Sequence, residues 1–243
     1  MALGDDAAPP AALVTGAAGG IGGAVVEALS DAGFTVAGHD RRPPVERVDH
    51  ALESDLLEGD PREIVRAAEA AVGGLDLLVH CAGGGPGGGI LELTDAEWRA
   101  VVDLNVNVAF PLCQEAARGM VARGGGRLIL IGSLCGRQAW SGYAHYCAAK
   151  AGLEMLGRSL ALELASSGVR CNTIVPGTID TPLNDAVTAD ADEHARLIAR
   201  TPVGRLGRPE EVAEMVAWLA TAPDFVTGAS LTIDGGYGIE LTP

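Results

Sequence analysis

Short apolar runs alternate along the chain with longer segments of helical period. Ala11 to Thr15, Thr35 to Gly38, Leu75 to Cys81, Arg127 to Ile131, Arg170 to Val175 and Ser230 to Ile233 read as strands. Stretches such as Leu128-Ile129-Leu130-Ile131 lack the polar alternation of a one-sided sheet, so the strands are expected to be covered on both faces. Between them the spacing predicts helices over Gly22 to Ala32, Pro61 to Val72, Asp95 to Arg123, Tyr146 to Ser166 and Pro209 to Thr221. Thr94 with Glu97 forms a capping-box signal, and Pro209 before Glu210-Glu211 opens the last of these helices. Strand and helix in repetition imply an α/β fold, a doubly wound parallel sheet with helices on both faces. Its ligands gather at the carboxyl ends of the strands.

Two stretches resist this pattern. Gly83-Gly84-Gly85-Pro86-Gly87-Gly88-Gly89 is a loop beside the site, and the acidic, weakly helical segment from Thr181, with residues 181–205 as its bounds, is expected to be a substrate lid. Residues 1–243 form one domain, with 1–10 expected to be flexible.

Near the amino terminus, Thr15-Gly16-Ala17-Ala18-Gly19-Gly20-Ile21-Gly22 follows a strand and opens a helix. Gly16 permits a tight turn, Gly20 and Gly22 let backbone approach a pyrophosphate, and the helix start supplies amide donors. Asp40 ends the next strand, where a carboxylate accepts from ribose hydroxyls and repels a 2′-phosphate. This favours NAD over NADP, although Arg41 and Arg42 follow. Asp55 is a candidate partner of the adenine amino group, beside Leu56.

Tyr146 and Lys150 are four residues apart, one face of a helix, with Ser133 thirteen residues upstream. A free tyrosine titrates near 10 and is a poor base at neutral pH; bringing it near neutrality needs about 4 kcal/mol of preferential phenolate stabilisation. Lys150 and a positively charged nicotinamide ring are expected to supply it jointly, which is acid/base chemistry at a hydride-transfer site.

Composition then removes alternatives. A net charge of -15 argues against nucleic acid or an anionic membrane surface as partner. Cys81, Cys113, Cys135, Cys147 and Cys171 are odd in number, scattered and without a C-x-x-C pair, so neither a disulfide framework nor a metal site is expected. With no leader pattern at the start and no long apolar run, a cytoplasmic protein is expected.

With Thr15-Gly16-x-x-x-Gly20-x-Gly22, Ser133, Tyr146-x-x-x-Lys150 and Pro176-Gly177 in this order, nearly the whole chain resembles the short-chain dehydrogenase/reductase family in its single-domain, Rossmann-type form. The ending, from Gly204-Arg205-Leu206-Gly207-Arg208-Pro209 to Asp234-Gly235-Gly236, is similar too. The resemblance implies that Tyr146 exchanges a proton with the substrate oxygen, that Lys150 holds the nicotinamide ribose, and that Ser133 binds the same oxygen as Tyr146. Asn105 would anchor a proton-relaying water. It also implies that Ile179 backbone and the Thr181 hydroxyl meet the carboxamide, and that the chain assembles as a homotetramer or homodimer through the Tyr146 helix and the last strand. The family's Asn-Asn-Ala-Gly is replaced here by His80-Cys81-Ala82-Gly83, with Cys81 read as a small buried hydrophobe.

The substrate pocket is expected to be lined by Cys135, Gln138, Trp140, His145, the glycine run and the lid, suiting a secondary alcohol or ketone on a sugar, cyclitol or polyketide-like ring. A 3-oxoacyl-thioester reductase shares every motif. A non-catalytic NAD-sensing module would keep only the glycine turn.

Overall fold

The structure, a computed structural model, describes residues 8–43 and 47–239; the expected flexible start lies outside the described residues as far as residue 7. A seven-stranded parallel sheet runs in the order β3-β2-β1-β4-β5-β6-β7. Its strands are β1 (Ala11–Thr15), β2 (Thr35–Asp40), β3 (His50–Glu53), β4 (Leu77–His80), β5 (Gly126–Ile131), β6 (Val169–Pro176) and β7 (Ser230–Ile233). The helices are α1 (Gly20–Asp31), α2 (Arg62–Val72), α3 (Asp95–Val102), α4 (Ala109–Arg123), α5 (Ala144–Leu164), α6 (Asp185–Thr188), α7 (Ala191–Ala199) and α8 (Pro209–Thr221).

Successive strand residues feed opposite cores, which is why the runs are apolar without alternation. Leu13, Leu78 and Leu128 pack with α2, α4 and α5 through Val65, Leu112, Met120 and Leu153. Their neighbours Val14, Val79 and Ile129 pack with α1 and α8 through Val25, Leu29, Val216 and Leu219. Fully burying such a side chain contributes about 1.5–3 kcal/mol. The predicted apolar stripe of α5 serves this core: Leu153 is fully buried, and Leu156, Leu160 and Leu164 pack against the cluster.

Two elements depart from the sequence expectation. β3 was not anticipated, because this short edge strand is only half-buried and carries one polar residue at each end. The predicted helix from Asp95 to Arg123 is broken by a π-helical turn, Asp103–Asn107, where Val108 N donates to Asp103 O over 3.1 Å. Pro111 accounts for the break: it has no N–H, and its ring would clash with the carbonyl four residues back in a continuous helix. The wide turn carries Asn105 into the interior at 0% exposure. At the start of α3 the capping box is made, with Glu97 N donating to Thr94 Oγ1 (3.2 Å) and Thr94 N donating to Glu97 Oε2 (2.9 Å). Among the described residues no helix is long and apolar enough to cross a membrane.

Candidate active site

The β1–α1 turn is dense with contacts that only glycine permits. Gly16 has φ +72°, and a Cβ on Gly22 would lie 2.0 Å from Gly16 O. A Cβ on Gly20 would lie 2.6 Å from Thr181 Cγ2, so this turn and the segment after β6 close on one another. The N-cap of α1, Gly19, offers no side chain and the first turn carries no acid, which leaves the helix start to an anionic group. Asp40, at the end of β2, accepts from Ala18 N and Arg42 N, both at 3.0 Å, and the Arg42 guanidinium donates to Ala18 O at 3.0 Å. Its carboxylate therefore braces the turn, a duty that the sequence did not reveal. Gly16, Gly19, Asp40, Arg41, Asp55 and Leu56 line one cavity, with Ala82 and Gly83 beside them. Asp55 is partly engaged by Leu57 N at 2.9 Å, and Leu56 is buried. This donor set and glycine cradle fit a dinucleotide.

A second cavity adjoins it and is lined by Ser133, Tyr146 and Lys150, with Ile21, Cys81, Pro176, Gly177, Ile179 and Thr181 toward the dinucleotide side. Ser133 caps a single turn, Leu134–Gly136, its Oγ accepting from Cys135 N at 3.1 Å. Lys150 Nζ donates to Ile131 O at 3.0 Å and stands 5.6 Å from the centre of the Tyr146 ring. Asn105 is held by the backbone, its Oδ1 accepting from Gly84 N (2.9 Å) and its Nδ2 donating to Gly84 O (2.7 Å) and Val101 O (2.8 Å). A Cβ on Gly83 would fall 2.6 Å from Asn105 Oδ1 and 3.0 Å from Lys150 Nζ, so carboxamide and ammonium flank one small space. Thr181 is buried, its hydroxyl donating to Ile179 O at 3.4 Å.

With protein groups alone, burial pushes the Tyr146 phenol above its ordinary value; Cys135 pushes it further, and a hydrogen bond with Ser133 only partly opposes them. Burial also lowers the Lys150 ammonium to about 8, against the smaller raising influence of Cys81 and Cys135. Desolvation outweighs the helical pairing that sequence spacing advertises. His80, standing where the family has Asn, shares a 2.9 Å hydrogen bond with Thr15 Oγ1 across β1 and β4, and burial holds it neutral with a pKa of about 3. The Cys81 thiol is pushed up to about 12 by burial, which suits a small buried hydrophobe.

On the substrate side, Cys135 and Trp140 line the cavity as expected, joined by Tyr143, Leu183, Asn184 and Leu197. Gln138 and His145 are not brought to this wall. Gln138 Nε2 donates to Gly238 O at 3.2 Å, tying the turn to the carboxyl-terminal segment. His145 is 0% exposed, because one helical step from Tyr146 turns it by about 100° away from the cavity. Tyr143, three residues before Tyr146 and hence on its face of the chain, was signalled by that spacing; its ring meets Tyr146 edge-on at 6.5 Å. The segment expected as a lid contains α6 and α7. Its acidity includes helix-start chemistry, since Asp190 caps α7 by accepting from Asp192 N (3.0 Å) and Glu193 N (3.1 Å).

A Rossmann-type sheet with a glycine cradle at its switch point and a tyrosine, lysine and serine converging beside it defines a nucleotide-dependent oxidoreductase. Residues 16–238 match the family model described as Enoyl-(Acyl carrier protein) reductase. The chain is 38% identical to the cis-4-hydroxycyclohexanecarboxylate dehydrogenase of Sinomonas cyclohexanicum, covering 97% of this chain and 99% of that one. It is 36% identical to the 3-oxoacyl-(acyl-carrier-protein) reductase FabG of Escherichia coli K12, covering 93% and 96%. An Agrobacterium tumefaciens structure with bound NADP superposes with a TM-score of 0.89 at 34% identity, covering 95% and 97%. The chain belongs to the short-chain dehydrogenase/reductase family, and as such is a nicotinamide-dependent enzyme acting on CH–OH or C=O groups of a small-molecule substrate.

Proposed function

We propose that the enzyme interconverts a secondary alcohol and a ketone on a largely apolar ring, with NAD preferred over NADP. The observation that carries this reading is the company that Ser133 and Tyr146 keep: their hydroxyls open on a cavity whose substrate wall is mostly Leu134, Trp140, Tyr143, Leu183 and Leu197, with Cys135 and Asn184 among them. A polyhydroxylated sugar would set several hydroxyls against the apolar part of this wall, at about 1–3 kcal/mol for each one left without a partner. An alicyclic alcohol would not, and the name of the Sinomonas relative describes such a substrate.

Ser133 and Tyr146 hold the reacting oxygen between two hydroxyls. Tyr146 exchanges the proton, Lys150 supports the developing phenolate and the cofactor ribose, and Asn105 stands across Gly83 from Lys150. Bound nicotinamide supplies the hydride acceptor or donor. Asp40 favours NAD by placing a negative charge where a 2′-phosphate would sit. The NADP-bound neighbour and the nearby Arg42 are the points against it. Residues 181–205 cover the substrate side. A cytoplasmic dimer or tetramer goes with this reading, and exposed Trp98, Phe110, Met155 and Leu162 offer apolar surface on α3, α4 and α5 for contacts between copies.

The alternative, a 3-oxoacyl-thioester reductase, is favoured by the FabG relative. The acidic α7 start, with Asp190, Asp192 and Glu193, would repel an acidic carrier. A sensing module without catalysis has no need of Ser133, Tyr146 and Lys150 together.

Titration with NADH and NADPH by nicotinamide fluorescence, followed by a panel of cyclohexanols, aldohexoses and 3-oxoacyl thioesters, tests the reading. NADH binding tighter by about tenfold, about 1.4 kcal/mol, and turnover greatest on alicyclic alcohols are expected. NADPH preference with thioester reduction would put the alternative first.

A further inference from the structure

Ser133 depends for its place on a turn too short to hold itself. Leu134–Gly136 is a single 3-10 turn, whose hydrogen bonds have poorer geometry than those of an α-helix, and residues 137–143 beyond it form no helix or strand. Four successive amides, those of Cys135, Gly136, Arg137 and Gln138, donate within the turn to Ser133 Oγ, to Ser133 O and twice to Leu134 O. Its outward contacts decide where the Ser133 hydroxyl points. One of them is a fork. The Arg137 side chain leaves the end of the turn and grips Glu154 with two parallel hydrogen bonds, Nε to Oε2 at 3.0 Å and Nη2 to Oε1 at 3.1 Å. Glu154 is buried on α5, four residues beyond Lys150 as Lys150 is beyond Tyr146, so this carboxylate rides on the helix that carries both. The same guanidinium reaches β7, where Nη1 donates to Thr232 Oγ1 at 2.8 Å and Nη2 to Ser230 O at 3.4 Å. Arg158 also donates to Glu154, one helical turn further on, and that bond stays within α5.

We propose that Arg137 and Glu154 are positioning residues: their ion pair pins the Ser133 turn to the tyrosine helix and so sets the Ser133 and Tyr146 hydroxyls at the separation that one substrate oxygen needs. Both act through Ser133. A fork of two parallel bonds fixes orientation as well as distance, which a point charge on a flexible stem does not. The turn is held close by it, since a Cβ on Gly136 would lie 2.9 Å from the Lys150 carbonyl carbon and 3.0 Å from Ala151 N. Losing the fork frees the turn to shift along that face of α5, and reacting groups misplaced by about 1 Å lose about 10²-fold in rate. The duty of Ser133 belongs to the proposed function; the pinning of its turn stands without it.

The test uses the whole protein with Arg137→Met, Glu154→Gln, the two combined, and Arg158→Met as a control that breaks an ion pair to the same carboxylate within α5. Hydrogen exchange followed by mass spectrometry reads the turn directly. In Arg137→Met and Glu154→Gln the amides of residues 135–138 should exchange at least about tenfold faster than in the native protein, with those of β5 unchanged. In Arg158→Met they should keep the native rate. On a ring alcohol that the native enzyme oxidises, kcat should fall about 10- to 100-fold in each single variant, with NADH affinity and substrate KM within about twofold. The combined variant should lose no more than the worse single one, because both substitutions remove the same alignment. Arg158→Met should turn over as the native protein does. A pair with a merely structural role would lower Tm and leave the kcat of the folded enzyme where it was. Native exchange rates in the turn of Arg137→Met, or a kcat within about twofold of native despite faster exchange, overturns the proposal. If Arg137→Met does not fold, Glu154→Gln, which keeps the side-chain volume and one acceptor oxygen, decides by the same two readings. A native protein without turnover on any alcohol would sink the proposed function, and the exchange rates would then decide the pinning alone.

Discussion

Lys150→Met should make the protein more stable and inactive together. Lys150 is 3% exposed, and burial takes its ammonium from an ordinary value of 10.5 to about 8. At about 1.4 kcal/mol per pH unit, that displacement is a penalty of about 3 kcal/mol on holding the charge inside the folded chain. Methionine matches the lysine stem in length and carries no charge, but it forfeits the donor to Ile131 O, worth about 1 kcal/mol. The net gain is about 2 kcal/mol, or about 4–8 °C in Tm for a chain of this size. Because the folded value lies below the unfolded one, the penalty is complete below about pH 8 and fades as pH rises toward 10.5, where the unfolded chain also loses its proton. Calorimetry of both proteins without cofactor should show the gap at pH 7 and its shrinkage near pH 10. A variant that melts below the native protein at pH 7, or a gap that ignores pH, would refute the assignment of a buried charged lysine.

Three further outcomes are expected. Tyr146→Phe removes one hydroxyl and keeps the ring beside Tyr143 and Lys150, so turnover should fall by about 10²–10⁴-fold with NADH affinity within about twofold; turnover within tenfold of native would remove Tyr146 from the chemistry. Gly22→Ala drives a methyl to 2.0 Å from Gly16 O, a clash with backbone that should cost at least about 1–3 kcal/mol in denaturant titrations and weaken cofactor binding. An unchanged midpoint would contradict the packing described for the turn. Asp40→Asn cancels one charge and turns an amide NH₂ toward one of the two N–H groups that Asp40 now accepts. Fluorescence titration should show selectivity moving toward NADPH by about tenfold, since a unit charge at contact distance is worth about 1 kcal/mol or more, together with a lower Tm. Selectivity that stays fixed would mean that Arg42, not Asp40, decides the cofactor.

How much of this was legible in the sequence follows from what sequence patterns record. The sheet was legible because burial on both faces demands runs such as Leu77 to Val79, and the cradle because contacts as close as that between Gly22 and Gly16 O admit nothing larger than glycine. β3 was hidden by its half-exposed edge position, and the π-helical turn by the helical period on either side of it. Pro111 was the available signal for that break, since it stands in the interior of the predicted helix, where a proline removes a backbone donor.

The site was read in position but not in electrostatics, and the difference is physical. A spacing of four says that Tyr146 and Lys150 share a face. It does not say how much water either one loses, and here that loss dominates, raising the phenol and lowering the ammonium. Both shifts oppose the ionised pair that proton exchange at neutral pH requires. The protein groups alone thus leave the phenol unpoised, and in the proposed reaction the positive charge of an oxidised nicotinamide would have to poise it. On that proposal Tyr146 would ionise most readily with oxidised cofactor bound, coupling proton removal to the presence of the hydride acceptor. Burial makes the charged lysine unfavourable for folding, and the stability gained by Lys150→Met measures how unfavourable it is, while the turnover lost measures what the proposed reaction draws from it.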